Sequence, residues 1–135
     1  MRRIAVVTVG RADYGILVPL LRAIEADAEL SLHLIVSGAH LSPEFGLTVR
    51  VIQADGFQIA ERVNMRLPSD GAQAIATSIG LGVCGFAQAY ARTRPDLLVV
   101  VVDRFETHAA VTAAAPFMIP VAHLHGGEST EGLID

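Results

Sequence analysis

Two short polar segments of this chain combine residues suited to binding and to acid–base chemistry. Gly10-Arg11-Ala12-Asp13-Tyr14-Gly15 follows a first apolar run, and Asp103-Arg104-Phe105-Glu106 follows the apolar run Leu97–Val102. A guanidinium beside the amino terminus of a helix can hold a phosphate. A carboxylate that is partly removed from water is suited to proton transfer near neutral pH. Together the two segments predict a phosphate-bearing ligand held next to an acid–base group.

Arg11 and Asp103 each have a simpler structural interpretation as well. Arg11 could form a salt bridge with Asp13, and Asp103 could cap the following helix or pair with Arg104. The functional interpretation is favoured because open α/β sheets bind ligands at the carboxyl ends of their strands, where the strand order reverses.

Several histidines fall near the same predicted edge. His40 follows Ser37-Gly38 after the second apolar run. His123 and His125 lie two residues apart on a predicted strand and so face the same way, and with Glu128 they could form a zinc set. The spacing fixes no third strong ligand, so we expect no metal. A proton donor or acceptor at His125 or Glu128 is favoured, and a merely solvated loop is the alternative.

Three further residues are assigned structural roles. His33 lies within a predicted strand and His108 within a predicted helix. Cys84 is the single cysteine and cannot form an internal disulfide. Its surroundings are rich in Gly, Ala and Val, which predicts a packed, small apolar side chain.

Apolar periodicity places these residues on alternating strands and helices. Continuous β-branched runs predict strands buried on both faces, and apolar residues three and four apart predict helices. Pro19 interrupts the first helical pattern, so that helix is expected to start near Val18, with the proline in its first turn. The predicted strands are Ile4–Val9, Leu30–Val36, Phe57–Val63, Leu97–Val102 and Ile119–His123; the predicted helices are Tyr14–Glu25, a short one ending near Ala54, one from a cap at Ser69 or Asp70 to about Arg92, and Glu106–Ala115.

This alternation is typical of the α/β class. It predicts a three-layer, Rossmann-like αβα domain around a parallel sheet with right-handed crossovers. The expected strand order is 3-2-1-4-5, which reverses between the strands that precede Arg11 and Asp103. Residues 1–135 suffice for one domain. The polar, Gly-rich tail lacks a closing helix, which predicts the amino-terminal part of a longer protein.

Composition argues against several classes of function. The 135 residues are 52% hydrophobic with a net charge of −4, enough for an ordinary core and without the basic field of a nucleic-acid binder. All ten basic residues are arginine, which excludes a phosphate-binding P-loop. No run approaches the roughly 20 apolar residues of a membrane span, and the first apolar run is too short for a signal peptide. We therefore expect a soluble, cytoplasmic protein without nucleic-acid or membrane partners.

Four segments together resemble the UDP-N-acetylglucosamine 2-epimerase family, in particular its hydrolysing branch of sialic, legionaminic and other nonulosonic acid biosynthesis. They are Thr8–Gly15, Val36–Gly46, Asp103–Glu106, and Ile119–Glu128 with Thr130-Glu131-Gly132. The resemblance covers essentially the whole chain. It implies the N-terminal half of a glycosyltransferase-B-like fold, with the C-terminal nucleotide-binding domain absent from residues 1–135.

The activity that the resemblance implies is hydrolysis of a nucleotide sugar. UDP would leave UDP-N-acetylglucosamine by trans elimination, and water would add to the resulting glycal to release N-acetylmannosamine. No cofactor is implied, and the full-length enzyme would be a homo-oligomer. The implied catalytic residues are Asp103, His125, Glu128 and Asp135, and the implied substrate-binding residues are Arg11, Gly15, His40 and Arg104.

Three positions depart from the family pattern, namely His125, Val102 and Pro116, of which Pro116 is simply unusual there. His125 stands where some branches have a catalytic glutamate, so proton transfer there could fall to His125 or to Glu128. Val102 stands where the family usually has glycine. Because the family takes an essential histidine and most uridine contacts from its second domain, residues 1–135 alone are expected to be inactive. The alternative is a non-catalytic nucleotide-binding or interaction domain from a truncated gene. A flavodoxin-like or receiver domain would share the strand order, although the absence of lysine counts against a receiver.

Overall fold

Five strands and four α-helices alternate along the part of the chain that the structure describes. The computed structural model describes residues 1–42, 48–65 and 71–125. The strands are β1 (Arg2–Thr8), β2 (Leu30–Ser37), β3 (Ile59–Val63), β4 (Leu97–Val101) and β5 (Val121–Leu124); the α-helices are α1 (Arg11–Ala26), α2 (Val49–Ala54), α3 (Ala72–Thr93) and α4 (Phe105–Ala114), and short 3-10 turns cover Gly38–Leu41 and Ala115–Phe117.

The strands form one parallel sheet in the order β3-β2-β1-β4-β5. This confirms both the α/β class and the order predicted from the sequence. The order reverses between β1 and β4, where Ile4 pairs with Leu97 and Val6 with Val99. The carboxyl ends of these two strands therefore lie side by side.

The central strands are apolar on both sides because helices cover both faces of the sheet. One core lies under α3 and α4 and contains Ala5, Val7, Leu98 and Val100 among others. The other core lies under α1 and α2, on the opposite face of the sheet. It is formed there by the alternate residues of the same strands. This arrangement is the three-layer αβα sandwich that continuous β-branched runs favour.

Helix α1 corrects the prediction made from Pro19. The helix begins at Arg11 rather than near Val18 and carries Pro19 in its interior. An interior proline costs about 3 kcal/mol, but the helix buries Tyr14, Leu17, Leu21 and Ile24 against the sheet. Its amino terminus is also capped by a carboxylate, described below, and these contributions outweigh the lost hydrogen bond.

Helix α3 corrects the prediction that Cys84 is a packed side chain. Cys84 is exposed, because it faces away from the sheet while Gly82 and Phe86 face inward. The helix is also long and apolar enough, with a mean hydropathy of 1.3, to cross a membrane by length and composition, although the sequence predicted no such segment. Its contacts are those of a layer in the sandwich, because a side chain at Gly82 would collide with Met65.

The remaining boundaries agree within about two residues. Strand β4 ends at Val101, one residue earlier than predicted. Strand β5 covers Val121–Leu124 rather than Ile119–His123. The predicted cap at Ser69 or Asp70 lies outside the described residues.

Candidate functional site

The two predicted segments meet at the carboxyl edge of the sheet. We call residues 8–13 the β1 loop and residues 102–106 the β4 loop. Helices α1 and α4 begin within these segments, at Arg11 and Phe105. A Cβ placed on Gly10 would lie 3.6 Å from Nη1 of Arg104, so the loops are in contact. We call the space between their exposed residues the crevice.

Asp13 organises the β1 loop from within. It is buried and accepts hydrogen bonds from the amides of Val9 (3.2 Å) and Gly10 (2.9 Å) and from the Thr8 hydroxyl. Burial raises the pKa of Asp13, and these hydrogen bonds and the positive charge of Arg104 oppose the rise. Among residues 1–42, 48–65 and 71–125, no ion pair joins Asp13 to Arg11. The carboxylate is engaged by backbone amides instead, and Arg11 is exposed at the start of α1.

A buried histidine extends this hydrogen-bonded network. The His40 Nε2 atom lies 2.9 Å from the Thr8 hydroxyl, and its Nδ1 atom lies 2.7 Å from the Thr48 hydroxyl. With Asp13 ionised, Thr8 donates to Asp13 and accepts from His40 Nε2–H, so Nδ1 accepts from Thr48. Burial lowers the pKa of His40 to about 4. The ring is therefore neutral at pH 7 and holds the β1 loop to the segment after β2. Its role in lining the substrate stays a prediction, since the ring is fully buried.

The β4 loop begins with a strained residue. Val102 has φ of 56°, the left-handed region that a β-branched residue rarely adopts. Its amide donates to the carbonyl of Leu124 at 2.9 Å, and its own carbonyl lies 2.8 Å from Nε2 of His123. The next residue, Asp103, has a carboxylate oxygen 3.3 Å from the same Nε2 atom. The family's usual glycine at position 102 would adopt this backbone conformation without strain.

Glu106 is a buried carboxylate that sequence reasoning did not single out as a site residue. It is fully buried, and its two carboxylate oxygens have no hydrogen-bond partner among the described residues. The Arg104 guanidinium forms an ion pair with this carboxylate, with its Nε 3.7 Å from Oε2. Gly38, at φ of 62°, approaches so closely that a Cβ there would lie 2.9 Å from Oε2 of Glu106. The signal that could have revealed this contact is the presence of both residues in the segments that carry the family resemblance.

The other predicted site residues occupy different positions. Gly15 is exposed on α1, and a Cβ there would meet no atom within 4 Å. His125 is exposed just after β5, with φ of 55°. Glu128 and Asp135 lie outside the described residues. No group of three His, Cys, Asp or Glu side chains that could hold a metal occurs within residues 1–42, 48–65 and 71–125.

The crevice combines complementary charges. The amino termini of α1 and α4 open onto it, and each presents backbone N–H groups that favour an anion. Arg11 and Arg104 are exposed at the same edge and can pair with phosphate oxygens. The Asp103 carboxylate lies beside them with its side chain 29% exposed. This arrangement can bind a phosphorylated ligand and exchange a proton with it.

Comparison with known proteins identifies a family of sequences that this chain resembles over most of its length. The sequence profile of the family described as UDP-N-acetylglucosamine 2-epimerase matches residues 22–135. A GDP/UDP-N,N'-diacetylbacillosamine 2-epimerase (hydrolyzing) from Campylobacter jejuni is 37% identical over 99% of this chain and 35% of its own length. A UDP-N,N'-diacetylbacillosamine 2-epimerase (hydrolyzing) from Legionella pneumophila is 36% identical over 100% of this chain and 36% of its own. The chain thus spans about a third of the length of these relatives.

Solved structures show the same fold. The UDP-GlcNAc 2-epimerase of Neisseria meningitidis bound to UDP-GlcNAc superposes with a TM-score of 0.76 at 21% identity, over 98% of this chain and 34% of that one. The Methanocaldococcus jannaschii UDP-GlcNAc 2-epimerase in complex with UDP-GlcNAc and UDP gives 0.78 at 19% identity, over 96% and 34%. These likenesses confirm the predicted Rossmann-like domain of a glycosyltransferase-B-like architecture.

Proposed function

Because this chain belongs to the UDP-N-acetylglucosamine 2-epimerase family, we propose that it forms the N-terminal domain of a hydrolysing nucleotide-sugar 2-epimerase. The reaction converts UDP-N-acetylglucosamine, or a related UDP-linked acetamido sugar, and water to UDP and the 2-epimeric free sugar. The Campylobacter and Legionella relatives are named for UDP-N,N'-diacetylbacillosamine, which is therefore a second substrate to test. Sialic or legionaminic acid biosynthesis in the cytoplasm is the corresponding context.

The observation that carries this proposal is the contact between the β1 and β4 loops at the strand reversal. It brings the Asp103 carboxylate to the edge where Arg11 and Arg104 are exposed. Elimination of a diphosphate from a sugar needs a base for the proton on C2 and positive charge at the leaving group. The crevice supplies both residue types at one edge of the sheet.

The proposed mechanism has two steps. In the first, Asp103 takes the C2 proton as the bond between C1 and the diphosphate oxygen breaks, which leaves a glycal and UDP. Arg11, Arg104 and the helix amino termini stabilise the departing charge, and Gly15 leaves room for the ligand. In the second step, water adds its oxygen to C1 and a proton returns to C2. His125, Glu128 and Asp135 remain the candidates for this second proton transfer.

Residues 1–135 do not by themselves enclose a nucleotide sugar under this proposal. A C-terminal domain would complete the cleft and supply uridine contacts, and the complete enzyme would be a homo-oligomer. These residues alone are accordingly expected to bind UDP weakly and to lack turnover. No metal or organic cofactor takes part in the proposed steps.

The decisive experiment uses the protein in which residues 1–135 are joined to a second domain, as in the relatives. We expect UDP and N-acetylmannosamine from UDP-N-acetylglucosamine, or UDP and the corresponding free sugar from UDP-N,N'-diacetylbacillosamine. Asp103→Asn should lower kcat by about 100- to 10,000-fold, the usual contribution of an acid–base group. Asp96→Asn is the matched control, because Asp96 is exposed at the opposite end of β4. Absence of UDP release from both substrates, or full activity of Asp103→Asn, contradicts the proposal.

A non-catalytic nucleotide-binding module is the second candidate, because the exposed Arg11 and Arg104 could bind a diphosphate without any proton transfer. The two differ in one outcome. A module would bind UDP but release none from either sugar nucleotide when its natural partner or second domain is present.

A further inference from the structure

His123 touches the proposed acid–base residue, but the mechanism above gives it no role. It lies on β5 with its side chain 35% exposed, opposite Val100 of β4. Its Nε2 atom is 2.8 Å from the carbonyl oxygen of Val102 and 3.3 Å from Oδ1 of Asp103. One ring nitrogen thus faces two oxygens from consecutive residues.

The chemistry of these partners fixes the protonation of that nitrogen. A backbone carbonyl can only accept a hydrogen bond, so Nε2 of His123 must carry a proton. In the neutral ring Nδ1 is then the unprotonated nitrogen. The single Nε2–H is shared between the Val102 carbonyl and the Asp103 carboxylate, with the shorter distance to the carbonyl.

The His123 contact is made to the strained backbone of Val102, which requires contacts from other elements to keep its conformation. Left-handed φ in a β-branched residue is unfavourable and persists only where the surroundings impose it. Both polar groups of Val102 are bound by β5: its amide donates to Leu124 and its carbonyl accepts from His123. The second of these bonds orients the peptide plane that leads into Asp103.

We propose that His123 is a positioning residue for Asp103. Its Nε2–H holds the Val102–Asp103 peptide and the Asp103 carboxylate in the orientation that the reaction uses. This inference rests on the proposed function, in which Asp103 is the acid–base group. In this role His123 acts through Asp103 and does not itself exchange a proton with the sugar.

The test exploits the two amide side chains that mimic different nitrogens of histidine. The amide nitrogen of His123→Gln reaches the position of Nε2 and can donate to the same oxygens, whereas that of His123→Asn reaches only the position of Nδ1. In the two-domain protein we expect His123→Asn to lower kcat by up to about 100-fold, with KM changed less than threefold. His123→Gln should recover most of that loss. Equal losses in both variants, or a loss in neither, would overturn the inference.

A second measurement is independent of turnover. Nitrogen-15 NMR of the 135-residue wild-type chain should report His123 as the Nε2–H tautomer, and Val102→Gly should retain that signal. A His123 ring protonated only on Nδ1 would overturn the contact on which the inference stands. If the two-domain protein releases no UDP while this tautomer is observed, the proposed function fails and the hydrogen bond itself stands.

Discussion

Two carboxylates, Asp13 and Glu106, are buried within the adjoining loops, and their surroundings differ completely. Asp13 accepts hydrogen bonds from the Thr8 hydroxyl and from the amides of Val9 and Gly10. Glu106 is fully buried, and its oxygens accept no hydrogen bond from the described residues. The first carboxylate is satisfied by its own loop, and the second forms an ion pair with the Arg104 guanidinium at 3.7 Å.

This difference separates a loop that stabilises the fold from one that carries an energetic cost. A buried, unsatisfied polar group costs free energy of folding, and such costs in native proteins call for an explanation. The β4 loop contains both Glu106 and the strained Val102, and both flank Asp103. The β1 loop is therefore the rigid side of the crevice, and the β4 loop is the side where chemistry is expected.

Isosteric substitutions of the two carboxylates give the largest expected contrast. In Asp13→Asn an amide group replaces one acceptor oxygen and faces a backbone N–H, which should lower the free energy of unfolding by about 3 kcal/mol. Glu106→Gln replaces a buried carboxylate that accepts no hydrogen bond from the described residues, and should leave stability unchanged or raise it by about 1 kcal/mol. Urea unfolding of the chain measures both. Similar losses in the two variants would remove the distinction between the loops.

The stability that His40 gives to the β1 loop, through its contact with Thr8, should be sensitive to acid. The pKa of His40 falls from 6.5 to about 4 in the folded chain, so between these values the unfolded chain binds a proton that the folded chain does not. The contribution of neutral His40 to the free energy of unfolding is therefore complete above pH 6.5. It decreases by up to about 3 kcal/mol as the pH falls toward 4.

His40→Gln keeps hydrogen-bonding groups without titrating, so its stability should fall less than that of the wild type over this window. The pH dependence that remains in this variant includes the contribution of Asp13. Because burial raises the pKa of Asp13, its contribution to the free energy of unfolding decreases as the pH rises, which is the opposite direction to that of His40. Unfolding curves recorded at half-unit pH steps would show this. Parallel curves for wild type and variant would rule out His40 as the source.

Strain in the β4 loop predicts different responses to the same substitution at two nearby positions. Val100→Gly in the core of β4 should cost about 3 kcal/mol through lost packing and added chain entropy. Val102→Gly should cost less than about 1 kcal/mol, because relief of left-handed strain offsets the lost side chain. Thermal and urea unfolding provide the comparison, and equal costs would show that the φ of Val102 carries no strain.

The smallest effect concerns space for a ligand beside the β1 loop. Gly15→Ala and Gly80→Ala both place a methyl group in open space on a helix, so each should stabilise by about 0.5–1 kcal/mol. Only Gly15 lies at the proposed site, so only Gly15→Ala should weaken UDP binding to the two-domain protein, measured by calorimetry. Unchanged binding by both variants would exclude Gly15 as a ligand neighbour.

Sequence patterns predicted the sheet because its strands are nearly continuous apolar runs, and they predicted the edge at which Arg11 and Asp103 lie. They placed the start of α1 wrongly, because the expectation that proline lies in the first turn of a helix does not consider a carboxylate, here Asp13, that stabilises an earlier start. The burial of Glu106 and the hydrogen bond between His123 and Val102 were beyond sequence reasoning. Each depends on how a side chain from one element lies against the backbone or glycine of another.

The hydrogen bonds from β5 that hold Val102 determine when Asp103 acquires its orientation. Both groups that hold this residue belong to β5, one of the two edge strands of the described sheet and the last of these five strands along the chain. Sheet edges open more readily than centres. Each transient detachment of that strand would release the Val102–Asp103 peptide. The orientation of the Asp103 carboxylate would therefore be established only once β5 pairs with β4, and again each time that pairing re-forms.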